Sequence, residues 1–400
     1  MGHTRVLGGP LAALAGATFL SLINYAALIP VLPMWAAERG ADAFAAGTIT
    51  SGMMAATVAA QFLMPWLMRF APLRSLLIAG TLLLGAPTPL YLVSDGFTWL
   101  MVITLVRGLG FGLVVVTGGV LAADLAPEGR LSSAVALYGF ATASPTVVGL
   151  AGGVWASEHF GFGAVFWTAT ATSLSACAIA LLIPGALHGR FTLPSLRSLR
   201  AVSVPIVLLV LTGSAFGAVT TFLPLSGPDP VAAALALLLA SLALVLGRVA
   251  VGPFADRIGS GRIQYGAALS VAAGLGLIGG ALDGGLPQLL IGSVLLGAGF
   301  GACQNDTFVA TVDRMSDRGT GTASTLWNIG YDGGLGLGAF VLGAAIGALG
   351  TQQAILALAA VIGGAAAIAW LAASLRRAVP DRGQRTPRDQ RTQGGDARRR

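Results

Sequence analysis

The sequence predicts an all-α membrane protein, twelve transmembrane helices arranged as two pseudo-symmetric six-helix halves. Three observations lead there. Of 400 residues, 55% are hydrophobic and 10% charged, with a mean hydropathy of +0.82, too apolar a mixture for a water-facing surface. The apolar residues fall into twelve runs, each long enough for a bilayer core of about 30 Å, which takes about 20 helical residues. Motifs of the first half then recur in the second at a nearly constant offset.

The first six runs lie near 10–34, 43–68, 74–93, 97–123, 131–156 and 163–184, and six more near 203–225, 231–254, 262–282, 286–312, 320–348 and 353–375. Glycine and proline inside them are tolerated, because neighbouring helices satisfy the freed backbone groups. The first run follows Arg5 but is too long for the apolar core of a signal peptide, and a second crossing follows at once, so it is expected to stay in the mature chain. Val6 stands where a myristoylation signal needs Ser or Thr, which argues against a lipid anchor. The second run ends in "PWLMRFAPLR" at 65–74, the fourth carries "RGLGFG" at 107–112, and the fifth carries "ASPTVVG" at 143–149. Residues 1–184 thus form the N-terminal half, and 185–202, with His188, Arg190, Arg197 and Arg200, a cytoplasmic linker. The C-terminal half is 203–375; its eighth run passes into "GPFADRIGSGR" at 252–262, its tenth holds "CQNDT" at 303–307 and its eleventh "WNIGYDGGLGLG" at 327–338. Residues 376–400, rich in Arg, Gln, Gly, Asp and Thr with no apolar period, are expected to be a disordered cytoplasmic tail.

The charges orient the chain. With a cytoplasmic N-terminus, 20 of the 23 arginines fall on the cytoplasmic side and only Arg39 outside, which is the positive-inside pattern. Both termini are then cytoplasmic, and the expected location is the plasma membrane. That distribution, more than the net charge of +7, argues against nucleic-acid binding, because the arginines do not form one patch. The glycine runs "GLGFG" and "GAGFG" lie inside apolar runs and follow no strand, and a chain without lysine has no P-loop, so this chain alone does not hydrolyse ATP. No nucleophile, metal cluster or pair of carboxylates at catalytic spacing stands out, so no enzyme, cofactor or metal is expected. Cys177 and Cys303 sit inside apolar runs and read as small packing residues.

At an offset of 188, Pro65 falls on Pro253, Trp66 on Phe254, Arg69 on Arg257 and Arg74 on Arg262. At 189, "GFG" at 110–112 falls on "GFG" at 299–301, Asp124 on Asp313, Leu137 on Leu326 and Tyr138 on Trp327. The layout, the charged turn at Gly252, Asp256, Arg257, Gly259 and Arg262, the "RGLGFG" of the fourth run and the partial "ASPTVVG" motif of the fifth together resemble the major facilitator superfamily, in particular its drug/proton antiporters. The resemblance implies that helices 1, 4, 7 and 10 line a central cavity, and that the halves rock to expose it to either side. It also places the charged turns on the cytoplasmic face, where Asp256 can sit against the positive end of a neighbouring helix such as the fifth and latch the halves. The first turn has Met68 at the matching position and cannot do the same.

Ionisable groups within membrane helices cost roughly 2.5–3.5 kcal/mol on insertion scales, so each is a functional candidate. Arg107 and Asp332 both fall near the midplane. Arg107 either attracts an anionic substrate group, pairs with a carboxylate across the cavity, or clamps backbone carbonyls. Asp332 either carries the coupled proton or hydrogen-bonds to a neighbouring helix. Gly330, Gly334 and Gly338 beside it permit close helix contact, which suggests an interface between halves. Asp306 and Arg248 share a depth and have opposite signs, which suggests an ion pair, with proton transfer by Asp306 as the alternative. Asn24, Tyr25, Gln304, Asn305 and Asn328 are candidate hydrogen-bonding groups of the cavity wall. The expected function is export of a small, partly hydrophobic compound in exchange for protons by a monomer in the lipid bilayer. The alternatives are proton-coupled uptake of a small organic solute, anionic if Arg107 binds it, and a membrane sensor or scaffold that moves nothing.

Overall fold

The computed structural model describes residues 9–127, 130–185, 196–227, 229–282, 285–315 and 320–378. Every element among them is helical. The first part comprises α1 (Gly9–Glu38), α2 (Ala43–Leu67), α3 (Leu73–Gly85), a 3-10 turn (Thr88–Leu92), α4 (Phe97–Asp124) and α5 (Leu131–Ala180). A short α6 (Leu196–Ala201) precedes α7 (Ser203–Ser226), α8 (Pro230–Ile258), α9 (Ile263–Gly280), α10 (Leu286–Arg314), α11 (Thr320–Leu349) and α12 (Thr351–Ala378). Of the expected linker, 186–195 lie outside the described residues, as does most of the expected tail.

Eleven helical stretches are apolar and long enough to cross a bilayer, and one of them crosses twice. Within α5, Gly161 has φ 78° and ψ 161°, a conformation that a side chain would resist. Gly149 packs on Ala26, whereas the carbonyl of Ala169 accepts a hydrogen bond from Asn24 Nδ2 at 2.6 Å. A straight helix would hold residues 149 and 169 about 30 Å apart, yet both touch the same turn of α1. The chain therefore reverses at Gly161, and the two arms of α5 are the fifth and sixth of twelve crossings.

The internal repeat is realised in space. Gly108 and Gly112 of α4 press against the carbonyls of Met53 and Thr57 on α2, while Gly297 and Gly301 of α10 press against those of Ala240 and Leu244 on α8. Any Cβ at these four glycines would meet a carbonyl oxygen, so the helices approach as closely as backbones allow. Tyr138 lies against Gly118 of α4, and Trp327 donates from Nε1 to Thr307 Oγ1 of α10 at 3.1 Å. Both the pair of aromatics and the pair of residues they contact are related by the offset of 189 read from the sequence.

The halves meet through α2 with α11, α1 with α7, and α5 with α8. Along α2 and α11 the contacts run from Ala43 against Gly343, through Phe44 with Phe340 and Gly47 with Ala339, to Gly336 on Met54. The run ends where Gln61 meets Asp332. This closes the end of the molecule that carries the α1–α2 turn. The row Gly330, Gly334 and Gly338, expected to join the halves, packs instead on α7 of its own half, and other glycines of α11 make the contact with α2. Gly334 and Gly338 pack on Val210 and Ser214 of α7 in their own half, whereas Gly336 and Gly343 face α2. Beside the α1–α2 turn, Arg39 stacks on Trp35 and pairs with Asp95, the one ion pair among the described residues.

Candidate functional site

Between the halves, where the tight α2–α11 packing ends, lies a cavity walled by Tyr25 of α1, Thr50 and Met54 of α2, Thr146 and Leu150 of α5, Phe216 and Thr220 of α7, and Tyr331 of α11. Its volume is about 10 Å³, room for roughly one water, so the helices must part before an organic molecule can enter. The walls are aromatic and aliphatic with a few hydroxyls. Tyr25 stacks on Phe111 at 3.8 Å, and its hydroxyl points at the Met54 sulfur, 4.0 Å away. A second aromatic series runs from Phe216 to Phe300 to Tyr331 to Trp327, with centroids 5.0, 5.7 and 5.5 Å apart. Such rings and a flexible thioether accept varied apolar shapes.

Asp332 follows Tyr331, which lines this cavity, and is itself 2% exposed. Its Oδ2 accepts a hydrogen bond of 2.6 Å from Gln61 Nε2 on α2, and Gln61 Oε1 is buried without a partner among the described residues. The buried acid of one half is thus held by a neutral amide of the other. Gln61 was not anticipated, because a single glutamine in an apolar run does not reveal what it faces.

Arg107 and Asn24, expected on the cavity wall, are sealed away from it. Both are fully buried and bonded to each other, Arg107 Nη2 donating to Asn24 Oδ1 at 2.9 Å. Arg107 Nε donates to the Leu84 carbonyl at 2.9 Å and Nη1 to the Tyr91 hydroxyl at 3.4 Å. The cause is local. Pro87 and Pro89 prevent α3 from continuing, so the carbonyls of its last turn turn inward. Arg107 takes that of Leu84, and Thr170 Oγ1 takes that of Gly85 at 3.1 Å. A cation at a helix C-terminus is also favoured by the helix dipole.

The expected pairing of Arg248 with Asp306 is corrected by the structure. Asp306 accepts backbone hydrogen bonds from Gly261 at 2.9 Å and Gln264 at 2.8 Å, at the start of α9. It lies five residues beyond Gly301, which touches α8, so it points about 140° away from that helix. Arg248 shares its depth but not its face, and lies over the Trp327 ring at 6.0 Å. Asn305 donates from Nδ2 to the backbone carbonyl of Arg248 at 2.6 Å and so ties α10 to α8. Gln304 is 2% exposed, with no acceptor for Nε2 among the described residues, and Asn328 is partly exposed.

The charged motif is also placed differently. Helix α8 continues through Gly252 and Arg257 to Ile258, and the turn begins at Gly259, whose φ is 95°, followed by Gly261 at 75°. Asp306 and Asp313 of α10 hold this turn, Asp313 accepting from Ser260 Oγ at 2.6 Å. Arg257 and Arg262 are exposed, and the side chain of Asp256 lies outside the described residues. Asp306→Ala is expected to lower stability by about 1–2 kcal/mol, the worth of a helix cap plus its dipole interaction, while leaving the cavity intact. Thermal melting of the purified protein checks this, and an unchanged midpoint would contradict the anchoring role.

Twelve crossings in two repeated halves, with a small cavity between them and a buried acid next to one of its wall residues, are the architecture of a membrane transporter. The family model described as Major Facilitator Superfamily matches residues 14–339 and 227–398, and the chain belongs to that superfamily. A solved POT family transporter in complex with a thioalcohol conjugated peptide is similar at TM-score 0.76 with 15% identity, covering 92% of this chain and 96% of that one. The nucleoside transporter NupG is similar at 0.69 with 12% identity, over 90% and 98%. These likenesses establish the fold. No curated protein matched the chain in sequence.

Proposed function

We propose that the chain is a secondary active transporter that exports a small, partly hydrophobic compound, a drug or metabolite, by proton antiport through alternating access. One observation carries the reading: a buried carboxylate, Asp332, next in sequence to the cavity residue Tyr331, is bonded across the half-to-half boundary to Gln61. A proton arriving at Asp332 changes the charge at the point where the halves touch, and so changes which arrangement of the halves is favoured. An apolar wall with Met54 and the rings of Tyr25, Phe216 and Tyr331 suits a compound recognised by shape and stacking. The moving units are residues 1–184 and 203–375, joined by 185–202, with Asp256 of the charged motif steadying the opposite state. With both termini cytoplasmic in the plasma membrane, the closed end faces outward. Within the alternative of proton-coupled solute uptake, Arg107 gives no reason for an anionic solute, because its guanidinium is enclosed by Asn24, Leu84 and Tyr91.

The test is flux in inside-out vesicles against a panel of amphiphilic compounds. An acid-inside gradient is expected to drive accumulation of at least one of them, and a protonophore to collapse it. Accumulation only in right-side-out vesicles would make the protein an importer, and no gradient-dependent flux of any compound would remove the proton from the mechanism.

A further inference from the structure

Within the described membrane helices, two side chains carry a formal positive charge near the cavity, and they are treated differently. Arg107 has all three of its nitrogens hydrogen-bonded. Arg248 has neither a hydrogen-bond acceptor nor an ion-pair partner for its guanidinium among the described residues, and is partly exposed. The nearest acids are committed elsewhere, Asp306 to the start of α9 and Asp332 to Gln61. Asp256 is eight residues further along α8, about 12 Å away along the axis. A cation over a single ring recovers only part of what a membrane helix withholds from it. Arg248 is therefore a charge kept open.

Its position gives it a use. Helices α8 and α11 both flank α10, and Arg248 reaches from α8 to Trp327 on α11 across the face of α10 opposite α9. Trp327 stacks on Tyr331, and Tyr331 lines the cavity between the halves. The stacked rings of Tyr331 and Trp327 thus lead from the cavity wall to the guanidinium, with Trp327 itself 6% exposed. In the stack Tyr331 lies between Trp327 and Phe300, so a molecule with its acidic group on Arg248 would meet Trp327 first and Tyr331 next.

We propose that Arg248, Trp327 and Tyr331 form an anion-binding subsite of the central cavity, and that the transported compound is a planar, apolar molecule bearing one acidic group. The fork of the guanidinium takes a carboxylate in two parallel hydrogen bonds, and the indole and phenol rings take the adjoining ring system. The inference rests on the transport reading for the identity of the cavity as substrate path, but its test needs no gradient.

Equilibrium dialysis of the purified full chain in nanodiscs compares 2-naphthoate with its uncharged amide, 2-naphthamide. Wild-type protein is expected to bind the acid roughly tenfold to a hundredfold more tightly than the amide, the range for a hydrogen bond to a charged group. Arg248→Gln is expected to erase that preference, Arg248→Lys to keep part of it, and Trp327→Leu to weaken both compounds while preserving their ratio. Equal binding of acid and amide by wild-type protein, no binding of the acid, or a preference untouched in Arg248→Gln overturns the proposal. The wild-type comparison stands even if a variant fails to fold. An Arg248-dependent preference without proton-driven flux would sink the antiport reading and keep the subsite.

Discussion

Asp332→Asn is expected to leave substrate exchange intact and to abolish accumulation driven by a pH gradient. Asparagine has nearly the shape of aspartate, and its amide oxygen still accepts from Gln61 Nε2, so the contact between α2 and α11 survives. What disappears is a site that can be either charged or neutral. Reconstituted vesicles separate the two properties: counterflow without a gradient proceeds near the parental rate, while net uptake under a gradient stops at equilibrium. Gln61→Leu is expected to act differently, since it removes the neutral donor that now serves the buried carboxylate. It alters the dependence of transport on pH without eliminating it. Gradient-driven accumulation by Asp332→Asn at the parental rate would remove this residue from coupling. Asp306 would then have to be reconsidered despite its two backbone hydrogen bonds.

Depth was legible in the sequence, and direction was not. Runs of apolar residues gave the crossings, because the bilayer imposes a length on each of them. The paired motifs gave the two halves, because equivalent close approaches need equivalent small residues, as Gly108 and Gly112 match Gly297 and Gly301. The runs 131–156 and 163–184 read from the sequence are the two arms of α5, and the chain reverses between them at Gly161, whose positive φ makes the turn. The candidate site fared less evenly for a geometric reason. Successive helical residues turn by about 100°, so two groups at one depth can face opposite ways. Asp306 and Arg248 do so on either side of α10. Tyr25, a cavity-wall candidate, lines the cavity, and Asp332 follows Tyr331, which also lines it. Partners such as Gln61 and the Trp327 ring as a seat for Arg248 arise only once separate helices are assembled, and no pattern within one run encodes them.

Arg107→Ala is expected to be the most destabilising single change in the N-terminal half, by about 3–5 kcal/mol, the range for breaking a buried charged network from one side. The substitution strands Asn24 Oδ1 and removes the Nε donor from the Leu84 carbonyl, both in a fully buried place. It also empties the space of the largest fully buried side chain in the chain's described core. Two companions separate these effects. Arg107→Met keeps most of the volume and loses every donor, so if packing dominates it melts near wild type, and if hydrogen bonding dominates it melts near Arg107→Ala. The geometry favours the second result, because the guanidinium links three segments, α1 through Asn24, α3 through Leu84 and the 3-10 turn through Tyr91. Arg107→Lys keeps the charge but not the planar fork, can reach one or two of those acceptors, and is expected to fall between. Thermal melting in detergent gives the stabilities, and dialysis with 2-naphthoate on whatever folded protein remains gives the binding. A variant at this position that melts like wild type yet loses binding would return Arg107 to the cavity wall. Loss of stability with binding retained in the folded fraction fixes it instead as the clamp that lets α3 end where its prolines require.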